Sequence, residues 1–138
     1  MGFVLFFLHD DNLIFFFSLS LTHSYSLSLS IFSGSSQGAV YIYSLSGAGI
    51  ATLILTLFGT AASSFGKSVS IFGSYLAVGA YKLNANVGGA YIYSLSGATA
   101  TLLTSGTISG TYKSYYGNSV SISSAGFMAI GAFGTSKK

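Results

Sequence analysis

Cysteine, proline and arginine are all absent from the 138 residues. Without cysteine there are no disulfides and no thiolate metal sites, and the absence carries no information about redox compartment. Charge is scarce: 5% of the residues are charged, against about 25% in a typical soluble domain. So bare a surface predicts poor solubility in isolation. Both acids, Asp10 and Asp11, and both histidines, His9 and His23, precede Ser24, after which no carboxylate side chain or imidazole occurs. All basic residues are lysines: Lys67, Lys82, Lys113, Lys137 and Lys138. A net charge of +3 from scattered lysines is no footprint for a nucleic acid, which needs clustered Lys and Arg along a face. No Asn-x-Ser/Thr acceptor is present, so N-glycosylation gives no hint of secretion.

Those absences restrict chemistry as much as surface. General acid-base catalysis needs a titratable group with a tunable pKa, and beyond Ser24 only lysine and tyrosine remain. The nearest nucleophile-base pair, Lys67 with Ser68, would point to opposite faces of a strand. The glycine-rich stretch Gly47-Ala48-Gly49 lacks the spacing and the following lysine of a phosphate loop. His9 with Asp10 and Asp11 is the one potential metal cluster, but adjacent ligands do not easily converge on one ion. The sequence therefore predicts no enzyme, no catalytic residue, no metal and no cofactor.

Residues 1–37 form a low-complexity apolar and serine-rich segment. Its start is uncharged, and His9, Asp10, Asp11 and Asn12 interrupt the apolar run, unlike a secretory signal. Every second residue from Ser18 to Ser30 is Ser or Thr. That alternation argues against a spanning helix, which needs roughly 20 mostly apolar residues in a row, and so against membrane attachment through residues 1–32. It fits one or two long strands, with Leu19, Leu21, His23, Tyr25, Leu27, Leu29 and Ile31 on one face. A translated simple repeat from a misplaced gene start fits it as well, and the two readings stay open.

From residue 38 onward the chain repeats. Residues 38–47 read GAVYIYSLSG and residues 88–97 read GGAYIYSLSG; FGKSVSI at 65–71 returns as YGNSVSI at 116–122, and YLAVGAY at 75–81 as FMAIGAF at 127–133. The offsets are 50, 51 and 52 residues. Such single-residue drift places insertions in turns, and repetition at a fixed period means stacked copies of one supersecondary unit. Within 65–105, four strand-like runs are separated by Gly73-Ser74, by a loop holding Asn84, Asn86, Gly88 and Gly89, and by Ser96-Gly97-Ala98. Links this short join antiparallel neighbours only. Four strands in about 50 residues make one propeller blade.

Phe65-Gly66-Lys67-Ser68-Val69 followed by Leu76-Ala77-Val78-Gly79-Ala80, and Tyr116-Gly117-Asn118-Ser119-Val120 followed by Met128-Ala129-Ile130-Gly131-Ala132, resemble the FG-GAP repeat of integrin alpha-type β-propellers. The resemblance is partial and divergent and covers residues 38–133. It implies a propeller module outside the cell or at its surface that binds proteins or glycans. Tyr81 and Phe133 stand where the family name has proline. The acidic calcium loop of integrin-type repeats has no counterpart, because Ile71 and Tyr75 are separated only by Phe72, Gly73 and Ser74. A hard cation needs six to eight oxygens, carboxylates among them; Asn84 and Asn86 supply too few and read as turn formers. Calcium binding does not carry over.

The expected fold is all-β: antiparallel four-stranded blades, with half a blade at 38–57, a whole one at 65–105 and half a blade at 116–133. Phe65 and Tyr116 are candidates to wedge between blades. The pairs Tyr41 with Tyr43 and Tyr91 with Tyr93 read as packing residues, or else as an exposed aromatic stripe. Closed propellers need about four to eight blades, so two blades' worth is an incomplete ring. The expected function is a piece of a protein- or glycan-binding adhesion module; the alternatives are a short self-associating β protein and a truncated gene product without independent function.

Overall fold

The computed structural model describes residues 25–31, 37–45 and 50–134. Nine strands run through them: β1 Tyr25–Ile31, β2 Ala39–Leu45, β3 Ala51–Phe58, β4 Phe65–Phe72, β5 Tyr75–Ala80, β6 Gly89–Ser96, β7 Thr99–Ser109, β8 Ser119–Ile122 and β9 Met128–Gly131. They form three sheets in the orders β1-β2-β3, β4-β5-β6-β7 and β8-β9. Every pairing within a sheet is antiparallel. The fold is all-β, with one complete four-stranded blade between two incomplete ones, and the sheets do not close a ring.

The links set this order. Gly73 (φ +56°) and Gly97 (φ +56°) turn the β4–β5 and β6–β7 hairpins in the left-handed region. The β5–β6 link reverses through Asn84 (φ 51°) and Asn86 (φ 72°), the turn role expected of them, since asparagine tolerates that conformation. Strand β7 extends to Ser109, beyond the blade end expected at residue 105. The first sheet also holds one strand more than half a blade. Tyr25–Ile31 pairs with β2 from Tyr25↔Leu45 to Ile31↔Ala39, so for these residues the Ser/Leu alternation is a strand. His9, Asp10, Asp11, His23, Lys137 and Lys138 lie outside the described residues.

The core fills the joint between the first and second sheets. Val40 and Ile42 of β2 meet Phe65 and Ile71 of β4 and Leu76, Val78 and Ala80 of β5, with Leu55, Leu57, Tyr91 and Tyr93 packed around them. Burying each large side chain contributes about 1.5–3 kcal/mol. Strand β5 is buried on both faces. Leu76, Val78 and Ala80 turn to the first sheet, while Ala77 and Gly79 lie on the opposite face, where Gly79 meets the Gly117 turn before β8.

Burial also reaches the phenols. Desolvation pushes the Tyr91 hydroxyl above its ordinary value of 10.0. Tyr93 is raised likewise, first by desolvation and then by the neighbouring Tyr91. A group whose folded pKa is raised contributes stability that is complete below its unfolded pKa and lost as pH climbs through the folded value. The melting temperature should therefore hold through neutral pH and fall above about pH 10. The double variant Tyr91→Phe/Tyr93→Phe should flatten that alkaline decline; an unchanged pH profile would refute the assignment.

Candidate functional site

The sheets are joined by a device that occurs twice. Phe65 N–H donates to Gln37 O (3.1 Å) and Gly59 N–H to Gly38 O (3.1 Å); one repeat on, Tyr116 N–H donates to Val87 O (3.2 Å) and Gly110 N–H to Gly88 O (3.2 Å). The Ser63 hydroxyl donates towards Gln37 O and Thr60 O at 3.1 and 2.7 Å. Ser114 at the equivalent place donates to Val87 O at 2.8 Å and accepts Thr111 N–H at 3.1 Å. Gly38 (φ +76°) and Gly88 (φ +79°) leave no room for a Cβ, which would overlap the backbone of Phe65 and Tyr116 respectively. Even the strained positions repeat: Ala62 and Ser64 have φ of 56° and 52°, and Lys113 and Tyr115 each have 53°. The motif Gly-Thr-x-x-Ser-x-aromatic-Gly at 59–66 and 110–117 thus builds both joints.

Between the second and third sheets the backbones approach closely. The buried Ser68 hydroxyl donates to Gly117 O at 3.0 Å, and Ile122 N–H donates to the Ser70 hydroxyl at 3.0 Å. Ser68 is thereby engaged in the joint, while Lys67 turns its ammonium towards the Tyr81 ring at 5.8 Å; the two do not form a nucleophile-base pair. Phe65 acts as the expected wedge, 1% exposed, with Tyr91 and Tyr93 edge-on at 5.3 and 6.5 Å. Tyr91 and Tyr93 are therefore packing residues. Tyr41 and Tyr43, on the equivalent face of the first sheet, are half-buried, as is Tyr116.

At the joint end of the second and third sheets lies an aromatic strip. Tyr115 stacks on Phe133 with centroids 4.5 Å apart and planes inclined by 11°. Tyr81 continues the strip at 6.2 Å from Tyr115. Tyr81 follows β5 directly and Phe133 lies two residues beyond β9, at matching places in the two copies of the repeat. Backbone bonds hold the strip from below: Tyr115 N–H to Asn86 O (3.1 Å), Lys82 N–H to Ser63 O (3.2 Å) and Gly134 N–H to Ser114 O (3.0 Å). Lys82 Nζ lies 5.5 Å from the Tyr81 centroid, and Lys113 Nζ lies 5.2 Å from that of the exposed Tyr112. Three lysines so gather at one end of a chain that has no carboxylate side chain after Asp11. The result is an aromatic face with lysines beside it. Sequence reading marked Tyr81 and Phe133 only as departures from a motif and did not find Tyr115.

At the opposite end of the same two sheets is a groove of about 610 Å³, lined chiefly by Tyr75, Ile92, Leu103, Ile122 and Met128. Among the described residues no group of three or more His, Cys, Asp or Glu could hold a metal ion.

Compared with known families, residues 59–93 match the FG-GAP repeat. The matched stretch begins at the Gly59 turn of the first joint and runs through β4 and β5 into β6. No curated protein matches the chain.

Proposed function

We propose that the chain is a non-enzymatic, propeller-type binding module that engages an anionic protein or glycan surface outside the cell or at its surface. In this reading the blade array takes in residues 38–134, with Tyr25–Ile31 paired onto its first sheet. The observation that carries the reading is the strip of Tyr81, Tyr115 and Phe133 with Lys67 and Lys82 beside it. Stacked rings offer a rigid apolar platform at little entropic cost. The lysines add attraction for carboxylate, sulfate or phosphate groups, and no acidic side chain among the described residues opposes it. The FG-GAP match supports the module reading, and the lack of His, Asp, Glu and Cys after Ser24 supports a role without catalysis.

Titration with a sulfated oligosaccharide and with a glutamate-rich peptide tests this. At least one should bind, with an affinity that falls as salt rises. Phe133→Ala and Lys67→Gln/Lys82→Gln should each weaken binding about tenfold, the equivalent of about 1.4 kcal/mol. Equal binding by wild type and variants, or no binding of either probe, refutes the proposal; the preferred probe tells a glycan from a protein surface.

A further inference from the structure

One-electron oxidation of a protein falls on cysteine, tryptophan and tyrosine, and of these the chain has only the last: no cysteine, no tryptophan and 10 tyrosines. Among the described residues a single pair of tyrosine rings is in contact. Tyr81 and Tyr115 have centroids 6.2 Å apart and planes inclined by 34°. Both are half-buried, so neither phenol is sealed from a reagent in solution. Tyr91 and Tyr93, by contrast, turn their rings onto Phe65 in the core.

The pair is held in place and stands alone. Tyr115 has a φ of 53°, a left-handed conformation that a bulky residue keeps only where its surroundings impose it. Its N–H donates to Asn86 O at 3.1 Å, and the N–H of Lys82, next to Tyr81, donates to Ser63 O at 3.2 Å. The other ring on Tyr115 is Phe133, which has no hydroxyl and gives no phenoxyl radical, so Tyr81 is the one coupling partner in contact with it. At the first joint Ser64 stands in the place of Tyr115, so the arrangement does not recur there.

We propose that Tyr81 and Tyr115 are a site of oxidative cross-linking, where a dityrosine bond fastens the second sheet to the joint with the third. The co-reactant is hydrogen peroxide acting through a one-electron oxidant of phenols, the chemistry of a haem peroxidase. Each phenol gives up one electron and one proton. The two phenoxyl radicals join by a carbon–carbon bond between positions ortho to their oxygens, and the two ortho hydrogens move to those oxygens and restore both hydroxyls. The two electrons and two protons released reduce one peroxide to two waters. The residues joined are 34 apart in sequence, and the bond spans a joint otherwise held by hydrogen bonds such as that of the Ser68 hydroxyl to Gly117 O. It restricts the unfolded chain as a disulfide does where cysteine is present. The inference goes beyond the binding role and does not depend on what the aromatic strip holds.

The full chain, dilute and at neutral pH, is treated with a haem peroxidase and hydrogen peroxide. The monomer should lose the mass of two hydrogen atoms and gain dityrosine fluorescence. Cleavage after lysine should leave residues 68–82 joined to residues 114–137, with fragmentation placing the bond at Tyr81 and Tyr115. Oxygen gained at Met1 or Met128 raises the mass and is told apart by its sign. Tyr81→Phe and Tyr115→Phe, which keep the rings, should each abolish the monomer's dityrosine, whereas Tyr112→Phe, at an exposed ring that touches no other tyrosine, should leave it unchanged. The cross-linked chain should also unfold at a higher urea concentration than the untreated one. No dityrosine in the monomer, a bond mapped in the unsubstituted chain to any other pair, or one that survives in both Phe variants each overturns the proposal. Loss of probe binding in a chain that still couples would refute the binding role alone.

Discussion

Gly79→Ala should destabilise the chain by about 3–5 kcal/mol, against about 1–2 kcal/mol for Gly73→Ala. The two glycines are close in sequence and opposite in circumstance. At Gly79 an added Cβ would overlap the carbonyl oxygen of Gly117 and the Ser68 hydroxyl, and would lie 2.9 Å from the Gly117 carbonyl carbon. Backbone cannot rotate out of the way, so the second and third sheets must separate and the Ser68–Gly117 hydrogen bond lengthens or breaks. At Gly73 nothing lies within 4 Å of the added atom, and only the positive φ of 56° is penalised. Against a net stability of about 5–15 kcal/mol, the first loss is a large fraction of the whole and the second is not. Urea unfolding of both variants decides the matter, and equal midpoints would show that the close approach at Gly79 is not a source of stability.

What the sequence revealed here is what local physics encodes. Alternation in YLAVGAY and turn glycines such as Gly73 and Gly97 act over a few residues, so the strands from β4 to β9 and their antiparallel order could be read directly. Strand β1 was harder. Its Ser/Leu alternation marks a strand, but such a pattern specifies no partner, and Ser30 with Ile31 stands where β5 has Gly79 with Ala80. The joint motif at 59–66 and 110–117 recurs in the sequence at an offset of 51 residues, yet alternation does not mark it, because most of its residues lie in turns and its serines satisfy backbone groups supplied by distant turns. The aromatic strip had no local signal at all. Tyr81, Tyr115 and Phe133 meet only after two sheets have docked, so their common face depends on tertiary structure that periodicity does not describe.

Phe65→Ala should cost about 3–5 kcal/mol, while Tyr116→Ala, the same position one repeat later, should cost less in the isolated chain. Phe65 is enclosed: Val40 and Ile42 cover it from the first sheet, and Tyr91 and Tyr93 close on it edge-first, each such aromatic contact adding about 0.5–1.5 kcal/mol beyond area burial. Tyr116 is only half-buried, since among the described residues the third sheet holds two strands and neither of them brings rings onto it as β6 does onto Phe65. Urea unfolding at low concentration should therefore separate the two variants. Equal losses for the two variants would mean that Tyr116 already has the enclosure that Phe65 has.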